Sequence, residues 1–362
     1  MSNNIVFPAG DGARYVPYAE RKGEESTVWF TRDPSAAGLE KLFDKVGGRL
    51  TGKVAIKLHT GEQNGPNIIP RPWVERLVRD RLPQAVIVET NTYYDGDRYT
   101  TEQHRKTLAV NGWTFCPVDI LDEDGTAMLP VKGGKWFSEM SMGKNLLNYN
   151  SLLVLTHFKG HTMGGFGGSN KNIGIGCADG RIGKAMIHTV EGSDNLWSIS
   201  MEEFMERMTE SAKATVDHFG EHIVYINVMR NMSVSCDCEG CAAEPVVTPN
   251  VGILASTDIL AVDQASVDLI YAMRECDRHA LPELVRHNAF HYGVAHIRLL
   301  GDEDVLAAEF TGGQHIVGEV AVVRRASVQI FLTALCLIEF RVILFGYLHK
   351  PAVERQEQLV RI

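Results

Sequence analysis

Uninterrupted apolar runs rich in branched residues recur at 54–58, 85–89, 152–156, 222–228 and Gly252–Ser256, with amphipathic segments between several of them. Runs without apolar/polar alternation are what strands covered on both faces require. The pattern therefore predicts an α/β fold, a mostly parallel sheet flanked by helices. A helix is expected over 200–220. Ser200 and Glu203 stand at capping-box spacing, Met201, Phe204, Met205, Met208 and Ala212 share one face, and Gly220 ends the run. A second helix should start near Pro70 or Pro72 and bury Trp73, Leu77 and Val78. A third is expected over 263–274 with Asp263 as its N-cap, which leaves Asp258, at a strand end, as a site candidate.

The pattern changes toward the C-terminus. Residues 1–275 read as one α/β body, in one piece or in two lobes divided near 150–190, and 276–362 as a divergent segment. Within it, 326–348 is apolar enough in length to span a bilayer, but Glu339 and Arg341 lie inside. Each such charge costs about 2.5–3.5 kcal/mol near the centre of a membrane helix, so a buried or partner-covered helix is the expected form.

The 362 residues, 44% hydrophobic and 22% charged, suffice for a large core and argue against disorder. A net charge of -9 supplies no basic surface for a nucleic-acid backbone. Seven cysteines, an odd number, and a start without a basic region followed by an apolar run suggest a reduced, cytoplasmic protein. Thiols there serve as metal ligands, nucleophiles or core.

The densest chemistry follows the apolar run at 152–156, in HFKGHTMGGFGGSNKNIGIGC (157–177). Gly164, Gly165, Gly167 and Gly168 allow close approach of backbone amides to a ligand, and Lys159, His161, Asn170 and Lys171 add polar and cationic groups. The spacing matches neither a phosphate-binding P-loop nor a dinucleotide fingerprint. Two further strand ends carry polar residues, KLHTGEQNGPN with Lys57 and His59, and ETNTYYDGDR with Asn91. Loops at the carboxyl ends of parallel strands are where α/β folds bind ligands, so a shared cleft for a small anionic molecule is expected. Lys184 and His188 in GRIGKAMIH either extend that cleft or belong to a surface turn. Lys57, His59, Lys159 and His161 are the candidate catalytic groups.

The metal signal is CDCEGC at 236–241, three thiols in six residues. Cys236, Cys238 and Cys241 at this spacing can converge on a soft ion or an iron-sulfur cluster, with Cys177 or a loop histidine completing the shell. The same residues can equally be free thiols. Cys116, Cys276 and Cys336 stand alone in apolar surroundings and read as packing residues.

Together KLHTGEQNGPN, ETNTYYDGDR, HFKGHTMGGFGGSNKNIGIGC, GRIGKAMIH, CDCEG and ILASTDILAVDQASVDLIY resemble the prokaryotic family called domain of unknown function 362, over about residues 25–275. The family is often labelled an iron-sulfur centre protein, and many members carry an inserted ferredoxin-like segment after the GK..H element. Here Ile187 and His188 lead to the 200–220 helix without a cysteine. What the resemblance implies about metal thus falls on Cys236, Cys238, Cys241 and Cys177. Beyond Cys276 the family pattern ends, which suggests a replaced terminus or a shifted reading frame. The leading expectation is a metal or iron-sulfur protein with a glycine-rich cleft and a redox role. One alternative is a non-redox enzyme for a phosphate or carboxylate, with the Gly164–Gly176 amides holding the anion and His157 or His161 as base. Another is a non-catalytic accessory protein that carries metal or cofactor to a partner.

Overall fold

The computed structural model describes residues 26–190, 193, 195, 198–273 and 306–310. The chain divides into two units, Met1–Val317 and Gly318–Ile362. The second unit, the apolar stretch 326–348, Cys276 and Cys336 lie outside the described residues.

In chain order the elements of the first unit are β1 (Ser26–Thr31), α1 (Ala36–Val46), β2 (Val54–Lys57), α2 (Arg71–Arg81), β3 (Val86–Glu89), α3 (Thr101–Val110), β4 (Val118–Ile120), β5 (Thr126–Pro130) and β6 (Glu139–Gly143). There follow β7 (Ser151–His157), β8 (Lys159–His161), β9 (Gly165–Gly167), α4 (Ser169–Gly176), α5 (Ile182–His188), α6 (Met201–Phe219), β10 (Ile223–Met229), β11 (Gly252–Ser256), α7 (Ile259–Ala272) and β12 (Leu306–Phe310). Eight strands form one sheet in the order β12-β1-β11-β10-β7-β2-β3-β4. From β10 to β4 neighbours run parallel, whereas β11, β1 and β12 add antiparallel pairs on the other side. The strand pairs β5–β6 and β8–β9 stand apart.

Apolar cores cover both faces of the sheet. Leu152 and Val154 of β7 join the core beneath α4, α6 and α7, while Leu153 and Leu155 join the one beneath α1 and α2. Alternate residues of a strand point to opposite faces, so a strand buried on both needs an unbroken apolar run. All seven residues of β7 and all seven of β10 are buried. Each fully buried aliphatic side chain contributes about 1.5–3 kcal/mol.

Two helix expectations need correction. Helix α7 starts at Ile259, and Asp258 is its N-cap, accepting from Leu260 N (2.9 Å) and Ala261 N (3.1 Å). Asp263 lies inside that helix and serves α4 instead. On α2 the buried residues are Val74, Leu77 and Val78, with Trp73 half-buried at the edge. Among the described residues no helix is long and apolar enough to cross a membrane.

Candidate functional site

From β2 the chain passes through β3 to β4 on one side, then returns to β7 on the other side of β2. Side chains at the carboxyl ends of β2 and β7 flank a gap at such a reversal, and ligands of open α/β sheets bind there. The crevice lies at this point. Lys57 and His59 from the end of β2, Thr156 and His157 from β7, Lys159 from β8, and Glu89, Tyr94 and Arg98 from β3 and its loop line it. Helix α4 adds Lys171 and Asn172, α5 adds Lys184 and His188, and the β10–β11 connection adds Cys236 and Cys238.

Glu89 organises one wall. Its Oε1 accepts from Thr60 N (2.8 Å) and Thr60 Oγ (3.2 Å), and its Oε2 accepts from Lys57 Nζ at 3.2 Å. Arg98 Nη1 and His59 Nδ1 each stand 3.6 Å from Oε1. Burial alone would raise the Glu89 pKa, but Lys57, His59 and Arg98 hold it well below the usual carboxylate range. Lys57 also donates to Leu58 O (3.1 Å) and Asn172 Oδ1 (3.0 Å), so its three ammonium protons are engaged. His59 is different: its Nε2 is buried and has no hydrogen-bond partner.

On the opposite wall His157 Nδ1 meets Asp237 Oδ2 at 2.7 Å, and its Nε2 lies 2.7 Å from Arg230 O, which fixes the ring. Lys159 Nζ is 3.1 Å from the same Asp237 oxygen.

The sulfurs do not gather as expected. Cys236 caps the turn Asp237–Ala242, and its Sγ lies 3.0 Å from Cys238 Sγ. Lys171 Nζ faces both, at 3.7 and 3.9 Å. The hydrogen bond from Cys238, with Lys171 and Lys159 nearby, lowers Cys236 to about 5, while Cys238 is pushed up to about 12. These opposite shifts favour one thiolate and one thiol over two thiols. Cys241 turns away, exposed, with its Sγ 3.5 Å from Asn64 O. Cys177 is in the apolar core, and burial raises its thiol to about 11. Thiolates sharing one tetrahedral ion at about 2.3 Å stand roughly 3.8 Å apart, farther than the 3.0 Å between these two sulfurs. The arrangement therefore does not fit a four-sulfur shell. Among the described residues no group of three His, Cys, Asp or Glu is placed to hold a metal.

The glycine-rich segment also does something other than expected. The first amides of α4 point at an internal carboxylate: Asp263 accepts from Ser169 N (2.7 Å) and Asn170 N (2.8 Å). They are not available to an anion. A Cβ on Gly168 would come within 2.5 Å of Asp263 Oδ1, and one on Gly167 within 3.1 Å of Lys159 Cε. These glycines admit neighbouring side chains. Gly164 belongs to the β8–β9 turn, where its N donates to His161 Nδ1 at 2.9 Å, and Gly165 opens β9 opposite His161. His161 stacks on Phe204, and burial lowers its pKa to about 3.

The sequence candidates thus divide. Lys57, His59, Lys159, Gly168, Lys171, Lys184, Cys236 and Cys238 line the crevice. His161, Gly164, Gly165, Gly167, Asn170, Asn91, Cys177 and Cys241 are not among the lining residues. Asn91 stands just behind it: its carbonyl accepts from Lys184 Nζ, its side-chain Nδ2 donates to Thr101 Oγ1 (3.0 Å), and its Oδ1 lies 3.3 Å from His104 Nδ1. Sequence reasoning missed the bridging role of Glu89 and the contacts of Asp237 with His157 and Lys159. A carboxylate ending a buried strand was the available signal for Glu89; Asp237 gave none.

Comparisons with known proteins add the following. The lactate racemase apoprotein from Thermoanaerobacterium thermosaccharolyticum has a similar structure at 12% identity and a TM-score of 0.42, covering 72% of this chain and 59% of that one. A Thermotoga maritima protein matches at 13% identity and a TM-score of 0.34, covering 55% and 51%. This chain thus spans less than two thirds of the length of either. No curated protein matches. A family model described as domain of unknown function (DUF362) matches residues 54–268, more than half of the chain, and the protein belongs to that family.

Proposed function

We propose that the protein is an enzyme that binds a small organic anion in the crevice and acts on it through the Cys236–Cys238 thiol pair. One observation carries this reading: the two sulfurs, 3.0 Å apart, face a lysine ammonium at 3.7 and 3.9 Å in the crevice where the sheet order reverses. A thiolate beside a cation is the nucleophilic form of cysteine. Cys236 Sγ adds to an electrophilic carbon of the bound anion, forming an S–C bond. The electron pair displaced from that carbon goes to its oxygen or leaving atom, which takes the proton of Cys238. His59, oriented by Glu89 and with Nε2 unpartnered, is the group placed to move a further proton. Lys57, Lys159 and Arg98 are tied to carboxylates and hold the walls.

The test is a turnover screen over small anionic electrophiles. Activity should vanish in Cys236→Ser and persist in Cys241→Ser and Cys177→Ser; equal activity in Cys236→Ser overturns the reading.

A narrower metal reading puts one soft ion between Cys236 and Cys238, whose sulfurs would have to open from 3.0 Å to about 3.8 Å to share it. A single soft ion on these two sulfurs, with Lys171 displaced, replaces the iron-sulfur cluster of four cysteines. Metal and acid-labile sulfide analysis of anaerobically purified protein separates the cases: iron with matching sulfide restores the cluster, one thiophilic ion supports the narrower form, and neither leaves the thiol enzyme.

A further inference from the structure

We infer that the crevice is built for a ligand with a single negative charge, a carboxylate, and that Lys184 is the group that receives it. This rests on the crevice reading above and deepens it. Five lysine and arginine side chains line the crevice, and four of them face a carboxylate or a sulfur. Lys57 faces Glu89 at 3.2 Å, Arg98 faces Glu62 at 2.6 Å, and Lys159 faces Asp237 at 3.1 Å. Lys171 faces the two sulfurs.

Lys184 is the exception. It is 5% exposed, and its Nζ donates to Thr90 Oγ1 (2.7 Å) and to Asn91 O. Among the described residues no carboxylate forms an ion pair with it within 4.0 Å. Asp122, the carboxylate that acts on it most strongly, is engaged by Asn91 N (3.0 Å) and Gly180 N (2.8 Å). An ammonium has three donors, and two are used. A buried ammonium with no carboxylate at ion-pair distance is costly, and an incoming anion lowers that cost. One open ammonium matches one negative charge; a phosphate dianion would bring a second with no cation left to meet it. Burial lowers Lys184 to about 8, while Asp122 and Glu89 act in the opposite direction from beyond ion-pair distance.

Iodoacetate and iodoacetamide are nearly equal in size and share an electrophilic carbon, but only the first carries a charge. Their rates at Cys236, followed by peptide mass mapping, read the crevice potential. Lys184→Met should slow iodoacetate by about tenfold relative to iodoacetamide. Lys184→Arg, which keeps the charge, should preserve the wild-type ratio and controls for misfolding. Propionate should protect Cys236 from iodoacetamide better than inorganic phosphate does. An unchanged ratio in Lys184→Met, or better protection by phosphate, overturns the inference. If iodoacetamide fails to label Cys236 at all, it is the thiol reading that falls; labelling without charge discrimination removes this inference alone.

Discussion

Lys57 occupies the space that a side chain on Gly176 would need, since a Cβ built there lies 2.5 Å from the Lys57 Nζ. The glycine at the end of α4 thus lets a buried ammonium pass to Glu89 and Asn172. Gly176→Ala should force Lys57 out of that position and lower stability by about 1–3 kcal/mol, as overpacking of a filled site does. Urea denaturation monitored by circular dichroism checks it; an unchanged midpoint would show that the lysine has room to move.

Glu89 is the counter-charge of that ammonium. Glu89→Ala leaves Lys57, which is 2% exposed, without a carboxylate partner and should cost about 3–5 kcal/mol. The same denaturation series reads it. A loss below about 1 kcal/mol, the worth of a surface pair, would mean that the pair is not buried as described.

How much of this the sequence disclosed follows from the range of the interactions. Strand β11 coincides with the expected run, and β2, β3, β7 and β10 lie within one or two residues of theirs, because a strand buried on both faces needs an apolar run visible locally. Strands β1, β4 and the hairpins escaped notice, being short or half-exposed. The crevice itself was legible as polar residues at three strand ends. Which of them face it was not. His161 and Lys159 sit two residues apart in the sequence, but β8 turns one into a cap for Gly164 and the other toward Asp237. Asp263 and the amides of Ser169 and Asn170 are more than ninety residues apart, so their pairing left no local mark.

Asp263 also carries a pH signature. Burial raises its pKa to about 6, against a value near 3.9 in an unfolded chain. A raised folded pKa means that the folded state binds the proton more tightly, so this stability contribution is full below about pH 4 and fades as pH rises through 6. Asp263→Asn should flatten the stability profile between pH 4 and 6. An equally steep profile in the variant would assign the slope to another group.

Lys171 should govern the thiolate. Lys171→Met removes the cation 3.7 Å from Cys236 Sγ and should move the midpoint of Cys236 reactivity upward by about one pH unit or more. An unmoved midpoint would leave the hydrogen bond from Cys238 and the charge of Lys159 as the cause.

The most direct test of the account is the rate of iodoacetamide labelling at Cys236 as a function of pH, resolved from Cys238 and Cys241 by peptide mapping. A depressed thiol pKa predicts labelling that is undiminished at neutral pH and falls only as pH drops through about 5. Labelling that instead rises through pH 8 to 9, as for an ordinary cysteine, would contradict a thiolate held ready in the crevice.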